Sequence, residues 1–143
     1  MASSSSVSSF MKLPLKAVVG ASEDRSKFGN KVLRCYLEHN MAVVPINKKS
    51  KEIEQIACVP SLGELKDCLP AGLRGMQDVG VSIITPPGVT KLILEEGYRL
   101  GIRNFFLQPG TYDKITDEYI DSITDSCNVV KSCVLVDLGF SEH

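Results

Sequence analysis

The chain has 143 residues, 23% of them charged, and a formal net charge of −1. That length suits one domain with a single core. The near-neutral balance argues against a nucleic-acid or membrane-surface partner, and no apolar run reaches the roughly 20 residues a membrane helix needs.

The opening M-A-S-S-S-S-V-S-S-F-M-K is rich in Ser and contains no acid. Residues 1–14 are expected to form a disordered tail ahead of a folded domain over 15–143. A mitochondrial presequence would be Arg-rich, and no Arg precedes Arg25, so a cytoplasmic protein is expected over a mitochondrial one. Five cysteines, Cys35, Cys58, Cys68, Cys127 and Cys133, form no C-x-x-C pair. With only two histidines beside them they do not suggest zinc. They read as reduced thiols of an intracellular protein, packed as small hydrophobes.

Leu15 to Val19 is an apolar strand. A helix follows, with Val32, Leu33, Tyr36 and Leu37 at helical spacing and Ser26 as its predicted N-cap. Ala42 to Ile46 reads as a second buried strand, with Pro45 near its end. I-A-C-V-P is a short extended piece. Ser61 and Glu64 then form a capping-box pattern that opens a short helix ending before Pro70. Val79 to Ile84 is a third strand. Pro86 and Pro87 open the next helix, since Pro is tolerated where the first turn needs no N–H. On that helix Val89, Leu92, Ile93, Glu96 and Leu100 fall on one side, and Gly97 would allow close approach to a sheet. Asn104 to Leu107 is a fourth strand. Ile115, Tyr119, Ile120, Ile123 and Cys127 mark a last helix face. Val129-Val130 and Cys133 to Val136 supply strand material at the end.

The strands are near-continuous apolar runs alternating with helices. Both faces of their sheet should therefore be covered. The pattern predicts an α/β, Rossmann-like, doubly wound parallel sheet of about five strands in three α/β/α layers. In such folds ligands bind beyond the carboxyl ends of the strands. The loops there read G-A-S-E-D-R-S-K-F-G, N-K-K-S-K, T-P-P-G and Q-P-G.

The first loop offers backbone amides, a helix N-terminus and the Ser22 hydroxyl, which together favour an anion such as phosphate. Arg25 and Lys27 add positive charge. A cofactor with a free ribose diol usually meets an Asp or Glu after the second strand. Here Asn47, Lys48 and Lys49 stand there, and no acid occurs before Glu52. A phosphate on the adenosine ribose is favoured instead. Coenzyme A and NADP both carry one. The T-P-P and Q-P-G loops are rigid, uncharged walls, with Gln108 able to donate and accept hydrogen bonds.

V-V-G-A-S…R-S-K-F-G-N, V-V-P-I-N, P-S-L-G-E-L, I-I-T-P-P, L-G-I…F-F-L-Q-P-G and N-V-V…C-V resemble, in order, the small single-domain coenzyme A-binding proteins. These are similar to the N-terminal CoA-binding domain of the succinyl-CoA synthetase alpha subunit. The resemblance runs from Leu15 to about Val136. It implies that Gly20, Ala21 and Ser22 face the diphosphate, with Arg25 and Lys27 beside it and Phe28, in the same motif, counted with the site. It places Asn47 and Lys48 at the ribose phosphate, and Thr85, Pro86, Pro87 and Gln108 along the rest of the groove. Lys48 stands where that family often has proline.

The synthetase's phosphorylated histidine belongs to a second domain. His39, at a helix end, and His143, at the terminus, do not read as nucleophiles, and no cysteine has a His neighbour in sequence. The expectation is a non-catalytic module that binds CoA or an acyl-CoA. The alternative is an NADP-dependent oxidoreductase or NADP-binding module on the same fold.

Overall fold

The computed structural model describes residues 3–141. Five parallel strands form one sheet: β1 (Leu15–Val19), β2 (Val43–Ile46), β5 (Val79–Ile83), β6 (Asn104–Leu107) and β7 (Asn128–Lys131), in the order β2-β1-β5-β6-β7. The register aligns Val44, Ala17, Val81, Phe105 and Val129 across the sheet. The chain moves outward from β1 to β2, then crosses back to β5. The order therefore reverses between β1 and β5, as in the expected doubly wound fold. Pro45 sits on edge strand β2, where its missing N–H costs least. Two short strands, β3 (Glu52–Ile53) and β4 (Ile56–Ala57), form a separate antiparallel hairpin. Its turn residues, Glu54 and Gln55, both have positive φ, the geometry of a type I′ turn.

The side chains of each strand alternate between two cores. Leu15, Ala17, Val19, Val81, Ile83, Phe105 and Leu107 face one core, closed by α3 (Leu62–Asp67), α4 (Pro87–Leu100) and α5 (Lys114–Ile123). Val18, Phe106 and Val130 face the other, closed by α1 (Ser4–Met11), α2 (Phe28–Glu38) and α6 (Val134–Leu138). On this second face the Tyr36 and Ser82 hydroxyls bond to each other, both fully buried. Burial pushes the Tyr36 hydroxyl well above its usual range.

Several expectations are corrected here. Residues 4–11 form a helix where a disordered tail was predicted. The Ser-rich composition hides Val7, Phe10 and Met11, spaced three and four apart on one face. Ser3 caps the helix by accepting from Ser6 N–H. Phe10 is fully buried, stacks at a tilt 5.3 Å from Phe106, and fills the space over Gly80, where a Cβ would come within 2.8 Å of its ring. Asn128 Nδ2 donates to the Ser6 carbonyl, and the buried Lys16 Nζ donates to the Met11 and Leu13 carbonyls at 2.5 and 2.7 Å.

Ser61 does cap α3, accepting from Glu64 N–H. Ser26 does not cap α2. Lys27 holds that position, and the Ser26 hydroxyl donates to Asp24 instead. On α4 the buried residues are Thr90, Leu94 and Gly97, while Val89 and Leu92 are exposed. The expected glycine approach does hold, since a Cβ on Gly97 would lie 2.8 Å from Phe105. That close contact sets the helix rotation and turns Leu92 outward. On α5, Ile115 is likewise exposed while Thr116, Ile120 and Ile123 are buried. Cys133 to Val136 is not strand. Cys133 is the N-cap residue of α6, which packs back over Cys35.

Phe10→Ala should lower the unfolding free energy by about 3–5 kcal/mol, as for other buried aromatics. Urea unfolding reads this, and a change near zero would return residues 4–11 to a disordered tail. Burial lowers the Lys16 amine from 10.5 to about 8. Below pH 8 both folded and unfolded chains hold the proton, so the burial penalty is fully present. Between pH 8 and 10.5 the folded chain releases a proton that the unfolded chain keeps, so Lys16 makes stability rise with pH. Urea titrations of wild type and Lys16→Met should show the gap moving toward wild type across that window.

Candidate functional site

The carboxyl ends of β1 and β5 meet at a point where three backbone segments touch. Gly20 has φ +94°, and a Cβ there would lie 2.2 Å from the Ile84 carbonyl oxygen. A Cβ on Gly29 would lie 1.9 Å from the Gly20 oxygen. Only glycine fits at either position. The first loop is thus pressed against the β5 end on one side and against the start of α2 on the other.

This packing fixes the N-terminus of α2 beside the loop. Its N-cap, Lys27, offers no side-chain acceptor. The Phe28 and Gly29 N–H groups have no acceptor among the described residues. Such groups point out of a helix end and carry its positive dipole. Inside the loop, Ser22 Oγ accepts from Asp24 N–H, and Asp24 accepts from the Ser26 amide and hydroxyl. The bonds from Ser26 hold the Asp24 carboxyl below its usual range.

Buried polar groups brace the loop from below. Asn30 Nδ2 donates to the Ser22 carbonyl and to Glu54 on the β3–β4 turn, and Arg34 donates to Asn30 Oδ1 and to the Arg25 carbonyl. The Arg25 guanidinium lies 3.7 Å from Glu54. Asn47 Nδ2 donates to the Ala21 carbonyl, while its Oδ1 accepts from the Lys49 and Ser50 amides. Ser50 donates to Glu23. Asn47 therefore ties the second loop to the first. Lys48 and Lys49 stay exposed at its rim.

Two pockets flank this junction. One, about 230 Å³, lies toward β2 and is lined by Val19, Ile46, Asn47, Lys48, Ser61 and Glu96 among others. The second, about 210 Å³, lies toward β6 and β7 and is lined by Phe28, Ile84, Gln108, Pro109 and Cys133. The structure thus groups Asn47 with Lys48, and Phe28 with Gln108, on opposite sides of Gly20, Ala21 and Ser22. Thr85 bonds the Thr90 hydroxyl, Pro86 is the N-cap of α4 and Pro87 its first residue. Those three form a wall of the β5 loop. Arg25 and Lys27 are exposed, with Arg25 turned to Glu54. His39 caps α2 with Nδ1 against the Cys35 carbonyl, and His143 lies outside the described residues.

Sequence reasoning missed Asn30, Ile84, Glu96 and Cys133. The fifth strand's carboxyl end was an available signal for Cys133, but assigning that residue to the strand concealed it. Glu96 comes from mid-helix α4, where the periodicity placed it on a helix face with Ile93 but gave no sign of a pocket. Among the described residues no cluster of His, Cys, Asp or Glu could hold a metal ion, and no helix is long and apolar enough to cross a membrane.

A five-stranded parallel sheet flanked by helices, with a glycine-pinned loop at its switch point, defines a Rossmann-like α/β domain. The sequence profile of the CoA binding domain family matches residues 16–139, and the chain belongs to that family. It is similar to a conserved hypothetical protein from Pyrococcus furiosus, at 26% identity and TM-score 0.68, covering 85% of this chain and 97% of that one. A hypothetical protein from Pyrococcus horikoshii OT3 shares the fold at 21% identity and TM-score 0.73, covering 93% and 87%. A Thermus thermophilus protein does so at 22% identity and TM-score 0.72, covering 93% and 94%. No curated protein matches the chain.

Gly29→Ala should cost about 3 kcal/mol or more, because the methyl meets immovable backbone. Gly88→Ala, with nothing within 4 Å, should stabilise by about 0.4–1 kcal/mol through the unfolded state. Unfolding midpoints of the two variants check both signs.

Proposed function

We propose that the protein binds coenzyme A or an acyl-CoA without catalysing a reaction, its diphosphate at the first loop and its ribose phosphate at Lys48 and Lys49. The observation that carries this reading is the α2 N-terminus. Its Phe28 and Gly29 N–H groups are unpaired among the described residues and are held by the Gly20–Gly29 contact. A diphosphate there would gain charge-assisted hydrogen bonds at no cost in loop reorganisation. Ala21 borders the same position, its Cα 3.2 Å from where a Gly29 Cβ would lie. Arg25 would reach the phosphates only by leaving Glu54.

The flanking pockets suit the two ends of such a ligand. On the β2 side Glu96 can accept from a ribose hydroxyl or an adenine amine, while Lys48 at the rim favours the phosphate. On the β6 side the lining is largely apolar and suits the pantetheine arm. Asn47 acts here as the brace of the second loop and Gln108 as part of the arm's wall. Thr85, Pro86 and Pro87 border the path between them.

Titration calorimetry with CoA, dephospho-CoA and NADPH tests the reading. CoA should bind more tightly than dephospho-CoA. Lys48→Ala combined with Lys49→Ala should weaken CoA about tenfold or more and leave dephospho-CoA unchanged, since one lost charge-assisted contact removes about 1.5–3 kcal/mol. An equal loss for both ligands would remove the ribose phosphate from these lysines. Binding of NADPH alone would replace CoA by the NADP reading.

A further inference from the structure

The first loop holds a cation in reserve. Arg25 Nε lies 3.7 Å from Glu54 Oε2, near enough to attract but beyond the roughly 2.7–2.9 Å of a charge-assisted hydrogen bond. The Arg25 side chain is 63% exposed and donates to no acceptor among the described residues. Its backbone, by contrast, is fixed. The Arg25 carbonyl accepts from Arg34 Nη2 at 2.8 Å, and the buried Arg34 donates in turn to Asn30 at 2.6 Å. The guanidinium can therefore change position by side-chain rotation alone. Arg25 stands three residues before Phe28, at most about 11 Å away on an extended chain. The turn closed by Lys27 N–H on the Asp24 carbonyl brings it nearer. The start of α2 is within reach of its long side chain.

Glu54 is held independently. Its carboxylate accepts from Asn30 Nδ2 at 3.2 Å, and Asn30 is fully buried. Glu54 thus keeps a hydrogen bond whether or not Arg25 faces it. The backbone adds a second observation. Glu54 and Gln55 take φ +51° and +68°, in a turn type that Asn and Gly fill at least cost. A residue kept in a disfavoured backbone region points to a use for its side chain. Here the Glu54 side chain makes two contacts, one with Asn30 and one with Arg25. Glu23 and Glu52 border the same hollow beside the hairpin, and neither forms an ion pair with Arg25.

Resting on the CoA reading above, we propose that Glu54 is a built-in competitor of the ligand: its carboxylate holds Arg25 away from the diphosphate site, and binding transfers the guanidinium from Glu54 to the diphosphate. The transfer needs no movement of the loop backbone, which Arg34 and Asn30 hold. It leaves Glu54 on Asn30, so no buried group loses its partner. The ion pair given up is subtracted from the affinity, and the protein holds its ligand less tightly than the loop allows. Glu54 is in this sense a positioning residue that acts through Arg25.

Titration calorimetry with CoA and dephospho-CoA tests the transfer. Glu54→Gln keeps an oxygen for Asn30 and removes the charge. It should tighten both ligands about threefold, the scale of one partly exposed ion pair, because both carry the diphosphate. In the Glu54→Gln background, Arg25→Ala should weaken both about tenfold or more. In the Arg25→Ala background, Glu54→Gln should change nothing, since the competition is gone. Glu52→Gln removes a charge from the same hairpin and should leave affinity unchanged. Circular dichroism checks the fold of each variant. If Glu54→Gln does not fold, Glu54→Asn, suited to a positive φ, takes its place. An unchanged or weaker affinity for Glu54→Gln overturns the proposal. So does the same gain in Glu52→Gln or without Arg25, which would mark general repulsion. A gain for CoA but not for dephospho-CoA overturns it by moving Arg25 to the ribose phosphate. No binding of CoA by the wild-type chain overturns it together with the binding reading.

Discussion

The contact of the Gly20 carbonyl with Gly29, and of Gly20 itself with the Ile84 carbonyl, is the constraint on which the site depends. Three main-chain segments approach so closely that no side chain fits between them. Backbone cannot rotate away as a side chain can, so the geometry is rigid. It brings the start of α2 onto the end of β1 and the end of β1 onto the end of β5. The switch point of the sheet is therefore a packed junction with pockets on two sides.

Around that junction the polar groups divide into braces and free groups. Asn30, Arg34, Asn47 and Glu54 spend their hydrogen bonds inside the protein, joining the first loop to α2, to the second loop and to the β3–β4 turn. No buried side-chain nitrogen or oxygen lacks a partner among the described residues. This full satisfaction lets a charged, irregular loop hold one shape. The groups left over are the first N–H groups of α2 and the exposed lysines of the second loop. These are donors, and the Glu96 carboxylate in the β2-side pocket is an acceptor beside them.

The chain's periodicity made the sheet legible. Strands buried on both faces must be apolar throughout, and each of the first four runs ends in Gly, Asn or Pro punctuation. Helix faces were less legible. On α4 the glycine contact with Phe105 overrides the apolar stripe, so Leu92 is turned outward and Thr90 inward. Helix α1 was hidden by its serines, because three apolar residues count for little until a sheet with a glycine notch is there to receive Phe10. Within the site, the resemblance placed Asn47 beside the ribose phosphate, and the structure adds that its amide holds the first loop.

The sequence by itself determined the α/β class, the loops that carry the site and the absence of an acid after β2, because these depend on local spacing and residue chemistry. Only the tertiary structure decided that Glu96 joins Lys48, that Arg25 turns to Glu54 and that Cys133 shares a pocket with Phe28 and Gln108. Those pairs come from separate elements, some more than 100 residues apart in the chain. Their proximity follows from the strand order and from the glycine contacts that set how closely the layers pack, and no local pattern encodes either.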